Sequence, residues 1–124
     1  MKKLITALFV LSATAAHAGD VVKGEKNFRK CSSCHSIEEG GRNGAGPNLW
    51  NIMNRGVAAN EDYRYSKKLK AWAEDNPQWT PELMDAWLTN SGKLVKGTKM
   101  RYKEKSESKR ADITAYLQSM GVEQ

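Results

Sequence analysis

Cysteine and histidine are scarce in this sequence, at two of each in 124 residues. Both cysteines and one histidine fall in the hexapeptide Lys30-Cys31-Ser32-Ser33-Cys34-His35, and the other histidine is His17. With no cysteine elsewhere, a disulfide framework between distant segments is excluded, and a bridge across two residues closes too small a loop to add much stability. One Cys-x-x-Cys and one histidine supply three ligands, where a closed zinc site needs four. A dithiol redox pair belongs beside a βαβ pattern, and none is visible. Long hydrophobic runs are also missing: Leu4 to Leu11 falls short of the about 20 residues that span a bilayer. No stretch alternates apolar and polar residues convincingly enough to read as a strand.

What is present begins with an export signal. Lys2 and Lys3 give a basic start, Leu4 to Leu11 an apolar segment and Ala16-His17-Ala18 a small-residue cleavage pattern. Residues 1–18 are expected to be removed, leaving 19–124 as one domain of 106 residues in which His35 is the one histidine. Lys2 and Lys3 are the only charges in the signal. Subtracting them from 20 basic residues leaves 18 against 14 acidic, a formal charge of +4. The excess is concentrated in Lys93, Lys96, Lys99, Arg101, Lys103 and Lys105, opposed only by Glu104 across that stretch. An exported protein is not expected to meet nucleic acid, which leaves an acidic protein surface as a partner for these charges.

Helix signals are spaced along the domain. Asp20 caps a first helix predicted to run to about Cys34, with Val21, Phe28 and Cys31 on one face. From Ser36 to Asn60 the chain is rich in glycine and asparagine and reads as an irregular wrap. Ser66 starts a short helix through Ala73, which must stop before Asn76-Pro77. Thr80-Pro81-Glu82 starts another, with Leu83, Met84, Trp87 and Leu88 as its apolar stripe. The pattern lapses after Ser91-Gly92 until Ser108, read as the cap of a terminal helix carrying Ile113, Tyr116, Leu117 and Met120. The fold class is all-α, with four or five helices. Loops of about 25 and 15 residues are uncommon in a compact domain unless they fold around something. Four tryptophans and four tyrosines suit a planar apolar guest.

Cys31-Ser32-Ser33-Cys34-His35 is the attachment signature of c-type haem. Each thiol adds to a porphyrin vinyl group, two intervening residues match the vinyl separation, and His35 is placed to bind the iron from one side. The iron's other face has methionine, lysine or an open site as candidates. Met84 and Met120 sit on helix stripes and read as core. Met53 lies in irregular chain and stays open. Met100 is favoured, because it sits in the basic loop beside Gly97-Thr98 where nothing requires a thioether for packing.

In order along the chain, GEKNFRKCSSCHSI, GPNLW, YRYS, WTPELMDAWLTNSGKLVKGTKM and RADITAYL resemble the class I cytochromes c. The likeness is to the small soluble periplasmic cytochromes of bacteria and to mitochondrial cytochrome c, and it spans essentially all of 19–124. It implies the cytochrome c fold, one covalent haem c, and His35 with Met100 as axial ligands. It implies that Gly24 and Phe28 pack against Ile113 and Tyr116, and that the Pro47 carbonyl accepts the ring N–H of His35. Leu49 would pack beside the haem, and Arg55, Tyr63, Tyr65, Trp79 and Thr98 would surround its propionates.

Three positions depart from the family pattern. Trp87 stands where a tyrosine usually approaches the methionine sulfur, so that hydrogen bond is in question. Ser91 replaces a proline at the start of the methionine loop and is expected to leave the loop more mobile. Tyr102 replaces a phenylalanine near the exposed haem edge.

The function implied is a monomeric, periplasmic one-electron carrier, not an enzyme. It would work between a quinol-oxidising cytochrome complex and a terminal oxidase or photosynthetic reaction centre. Lys30, Lys93, Lys96, Lys99 and Lys103 would steer it to acidic surfaces on these membrane complexes. The alternatives are a dedicated acceptor for one periplasmic dehydrogenase and, further off, a haem peroxidase or gas sensor, which needs an open sixth site.

Overall fold

The computed structural model describes residues 19–122; the expected signal segment lies outside them. The helices are α1 (Val21–Phe28), α2 (Lys67–Asp75), α3 (Pro81–Thr89), α4 (Ser91–Leu94) and α5 (Glu107–Ser119), with a 3-10 turn at Ile52–Asn54. No strand forms among the described residues beyond two isolated bridges, Gly56 with Gln78 and Asn90 with Lys103. The all-α class holds.

The expected caps form at three helix starts. Asp20 accepts from the Lys23 amide, Ser66 from Leu69, and Thr80 from Leu83 with Pro81 as the first helical residue. Other boundaries moved. The regular part of α1 ends at Phe28 rather than near Cys34, and the chain continues as tight turns in which Ser32 and Ser33 bond back to the carbonyls of Arg29 and Lys30. Val21, expected on the packed face, is exposed. α2 runs past Ala73 to Asp75. The terminal helix is capped by Ser106, whose hydroxyl accepts from Lys109, while Ser108 lies inside the first turn. α4 was not anticipated: Asn90 accepts from the Lys93 amide and starts a single turn where the apolar pattern had lapsed.

α1 and α5 form the principal helix pair. A Cβ on Gly24 would stand 2.0 Å from the Asp112 carbonyl oxygen, so only glycine lets the two backbones approach this closely. Phe28 meets Tyr116 with ring centroids 5.3 Å apart, and Ile113 is 1 % exposed at the centre of the core. The buried Asp112 accepts from the Asp20 amide at 2.8 Å, tying the start of α1 to α5. α3 is held to α5 by Arg110, which meets Asp85 at 2.7 Å and also donates to the Glu104 carbonyl. The long segment between α1 and α2 wraps the other side. Val57 donates to the Pro77 carbonyl, and Asn51, at φ 60°, donates to the Met120 carbonyl at the end of α5.

Candidate haem-binding site

The turns after α1 present the cysteines and histidine together. Cys31 donates to the Phe28 carbonyl at 2.7 Å and His35 to the Cys31 carbonyl at 2.9 Å, so the motif stays helix-like without forming a regular helix. Cys31 is half-buried, and burial pushes its thiol above the usual value; Cys34 is exposed. The His35 Nδ1–H donates to the Pro47 carbonyl at 2.7 Å, which leaves the lone pair on Nε2. Burial lowers the imidazole's pKa, partly opposed by the Pro47 bond, and so favours the neutral ring a metal needs. The ring lies against Gly46, where a Cβ would come within 2.3 Å of its Cε1.

Asn48 holds this arrangement, a role that its place in GPNLW does not announce. It is 7 % exposed. Its side-chain amide donates to Ser36 Oγ and the Glu38 carbonyl, both at 2.8 Å, and its oxygen accepts from the Trp50 amide. Its backbone N–H donates to Asn43 Oδ1, and its carbonyl accepts from Arg55 Nη2 at 2.7 Å. Asparagine alone among small side chains offers two donors and an acceptor in this geometry. The Pro47 carbonyl is thereby set on a fixed strip of backbone.

These residues border a cavity of about 390 Å³. Cys31, Cys34, His35, Pro47, Leu49, Tyr63, Tyr65, Trp79, Trp87, Thr98 and Met100 all line it. Arg55 does not; it sits one layer behind, half-buried on the Asn48 carbonyl, and burial depresses its pKa. Met53, left open as an alternative to Met100, packs against the core away from the cavity wall. The remaining wall is largely apolar and comes from the core itself: Phe28, Leu69, Met84, Leu88, Ile113 and Leu117. Two thiols, an imidazole and a thioether converging on one apolar cavity are a donor set that fits a covalently attached haem.

Three of the aromatic lining residues are anchored. Tyr63 donates to the Ala45 carbonyl at 2.7 Å, and the Tyr65 hydroxyl accepts from the Asn60 amide. Trp79 packs edge-on to Trp87 with centroids 5.7 Å apart. Among the described residues no hydrogen bond joins Trp87 to Met100.

The loop carrying Met100 is closed at its base. Ser91 is completely buried; its hydroxyl donates to the Met100 carbonyl at 2.8 Å and accepts from the Tyr102 amide at 2.9 Å. The Ser91 amide donates to the Tyr102 carbonyl at 3.0 Å, and Glu104 donates to the Leu88 carbonyl at 2.9 Å. The expectation that serine would loosen the loop is corrected by the three bonds that residue 91 itself makes, none of which proline could form. Beside them Lys30 pairs with Glu104 at 2.8 Å and lies 5.4 Å from the centroid of the Tyr102 ring. Lys30 is therefore engaged within the fold, and Lys99 bonds the Arg64 carbonyl above the Tyr63 ring.

Residues 21–121 match the family model described as cytochrome c. A cytochrome c2 of Agrobacterium tumefaciens is 38% identical over 100 residues, covering 80% of this chain and 90% of the relative. A cytochrome c2 of Blastochloris viridis is 33% identical over 126 residues, covering 99% and 97%. A cytochrome c-550 of Paracoccus denitrificans is 31% identical over 129 residues, covering 91% and 82%. With the match extending over nearly every described residue and taking in the cavity and both of its ends, the chain belongs to the cytochrome c family, electron carriers with covalently bound haem c.

Proposed function

We propose that the chain is a periplasmic one-electron carrier whose haem c is bonded to Cys31 and Cys34 and ligated by His35 and Met100. Its work is to take electrons from a quinol-oxidising cytochrome complex and pass them to a terminal oxidase or reaction centre. The observation that carries this reading is convergence on one cavity: both thiols, the imidazole and a thioether 65 positions further along the chain border the same apolar space. When bound, haem c supplies an iron that accepts and releases one electron.

The chain's residues do the rest. Pro47 fixes the orientation of His35 and strengthens it as a donor through Nδ1–H. Met100 and His35 would together hold the iron of a bound haem and so leave no position for a substrate, which separates a carrier from a peroxidase or gas sensor. The apolar wall excludes water and favours the less charged ferrous state. Tyr63, Tyr65, Trp79 and Thr98 bring polar groups to the cavity as partners for propionates, and Arg55 stiffens the backbone behind them.

Lys93, Lys96, Arg101 and Lys103 border a shallow surface depression beside the Met100 loop. Their positive field suits a brief encounter with an acidic surface, where fast association and release matter more than affinity. Lys30 contributes less, because Glu104 neutralises it.

The optical spectrum of the oxidised holoprotein tests the site. A methionine-to-iron charge-transfer band is expected in the parent and absent from Met100→Ala. A parent lacking the band would refute the closed, two-ligand carrier.

A further inference from the structure

We propose that Ser91 is a positioning residue for Met100: its hydroxyl latches the ligand's own backbone carbonyl and thereby opposes departure of the thioether from the iron. The inference rests on Met100 being the second axial ligand.

The latch is carried by burial and by an absence of substitutes. Ser91 is 0 % exposed. Its Oγ donates to the Met100 carbonyl at 2.8 Å, and among the described residues this is the one hydrogen bond to the Met100 backbone. The bond joins the two ends of an eight-residue excursion, 92–99, at its neck. Below the neck, Tyr102 N–H donates to Ser91 Oγ, Ser91 N–H to the Tyr102 carbonyl, and Asn90 bridges Lys103. Within the excursion, Val95 and Thr98 are buried and anchor its middle, while Gly97 turns at φ 87°. Elsewhere in the segment from Thr98 to Tyr102, Thr98 N–H bonds the Val95 carbonyl, the Lys99 side chain bonds the Arg64 carbonyl and Lys30 lies over the Tyr102 ring, but none of these reaches the backbone of Met100, which is held by the hydroxyl of Ser91. For Met100 to leave the iron and make way for another ligand, that strip must lift from residue 91, and the buried hydroxyl is the group it lifts from. Alanine at 91 keeps the bond from its own N–H to the Tyr102 carbonyl and the Asn90–Lys103 bridge, and removes the latch together with the hydroxyl that accepts from the Tyr102 amide.

The test is imidazole binding to the ferric holoprotein at fixed neutral pH, followed by loss of the methionine charge-transfer band. Ser91→Ala is expected to retain the band without imidazole and to bind imidazole roughly five- to tenfold more tightly, the factor of one net hydrogen bond. Thr114→Val removes another buried hydroxyl, one with no hydrogen-bond partner, and is expected to leave the affinity at the parent value. Equal gains in both variants would mark a general loosening of the core and overturn the latch. Unchanged affinity in Ser91→Ala, in a protein whose parent shows the band, would overturn the latch alone. A parent without the band would overturn the ligand assignment beneath it. Should Ser91→Ala fail to mature, the parent suffices: saturating imidazole is expected to speed hydrogen exchange of the Tyr102 amide at least tenfold, and unchanged protection would refute the proposal.

Discussion

Replacing Gly24 by alanine should destabilise the protein although alanine is the better helix former. In an open helix the change would stabilise by about 1 kcal/mol, because glycine loses more backbone freedom on folding. Here the new Cβ would lie 2.0 Å from the Asp112 carbonyl oxygen and 2.7 Å from both the Asp112 carbonyl carbon and Tyr116 Cβ. Two of these atoms are main chain and cannot rotate away, so α1 and α5 must separate along their contact. Overpacking costs about 1–3 kcal/mol, and the upper end applies where backbone has to move. The net loss is then about 2 kcal/mol, which in a domain of this size lowers the melting temperature by roughly 10 °C. Thermal unfolding of the ferric holoprotein by far-ultraviolet circular dichroism would measure it. Gly40→Ala separates the two causes: Gly40 has φ 72° but no atom within 4 Å of the added carbon, so only backbone strain of about 1 kcal/mol applies. A Gly24→Ala protein melting at or above the parent would refute the close helix crossing as the reason for glycine.

Asn48→Ala should cost about 3 kcal/mol, read as a lower guanidinium midpoint, since three buried hydrogen bonds lose their partner at once; a loss below about 1 kcal/mol would show that water replaces the side chain. A double-mutant cycle of Lys30→Gln and Glu104→Gln should give a coupling of only about 0.5 kcal/mol, because the Lys30 side chain is 42 % exposed. The hydrogen bond from Lys30 holds the Glu104 carboxyl below the usual carboxylate range, so this coupling is complete at neutral pH. It disappears as the pH falls through that depressed value, and a coupling that survives protonation would contradict the assignment. Lys96→Glu and Lys103→Glu should slow reduction by an acidic redox partner about tenfold at low salt, with the difference vanishing near 1 M salt where the Debye length is about 3 Å. Lys30→Gln should change that rate less, and equal effects at all three positions would sink the distinction between engaged and free lysines.

Residues that act through their own chemistry and immediate neighbours were legible from the sequence. Cys31, Cys34 and His35 stand out as the candidate attachment motif because attachment needs two thiols and an imidazole at one tight spacing. Asp20, Ser66 and Thr80 cap their helices because a cap bonds only three residues ahead. The terminal helix was misplaced by two residues because Ser106 and Ser108 offer the same hydroxyl, and only packing against α3 and the Glu104 strip selects between them. α4 escaped notice since a single turn is too short to show a period. Arg55 carries the right charge for a propionate but folds onto the Asn48 carbonyl, a choice made by a neighbour seven residues away.

Residue order alone thus settled the helical class and the sign of the surface charge and singled out the candidate attachment motif, all of which depend on short-range spacing or on composition. Tertiary structure alone decided which distant groups meet. It placed Met100 and not Met53 on the cavity that His35 lines, turned Ser91 from a suspected weakness into the closure of the methionine loop, and withdrew Lys30 into a pair with Glu104. Each of these is a contact beyond the reach of a helical turn, from nine residues apart for Ser91 and Met100 to 74 for Lys30 and Glu104, and a pattern read along one dimension carries no distance across the fold.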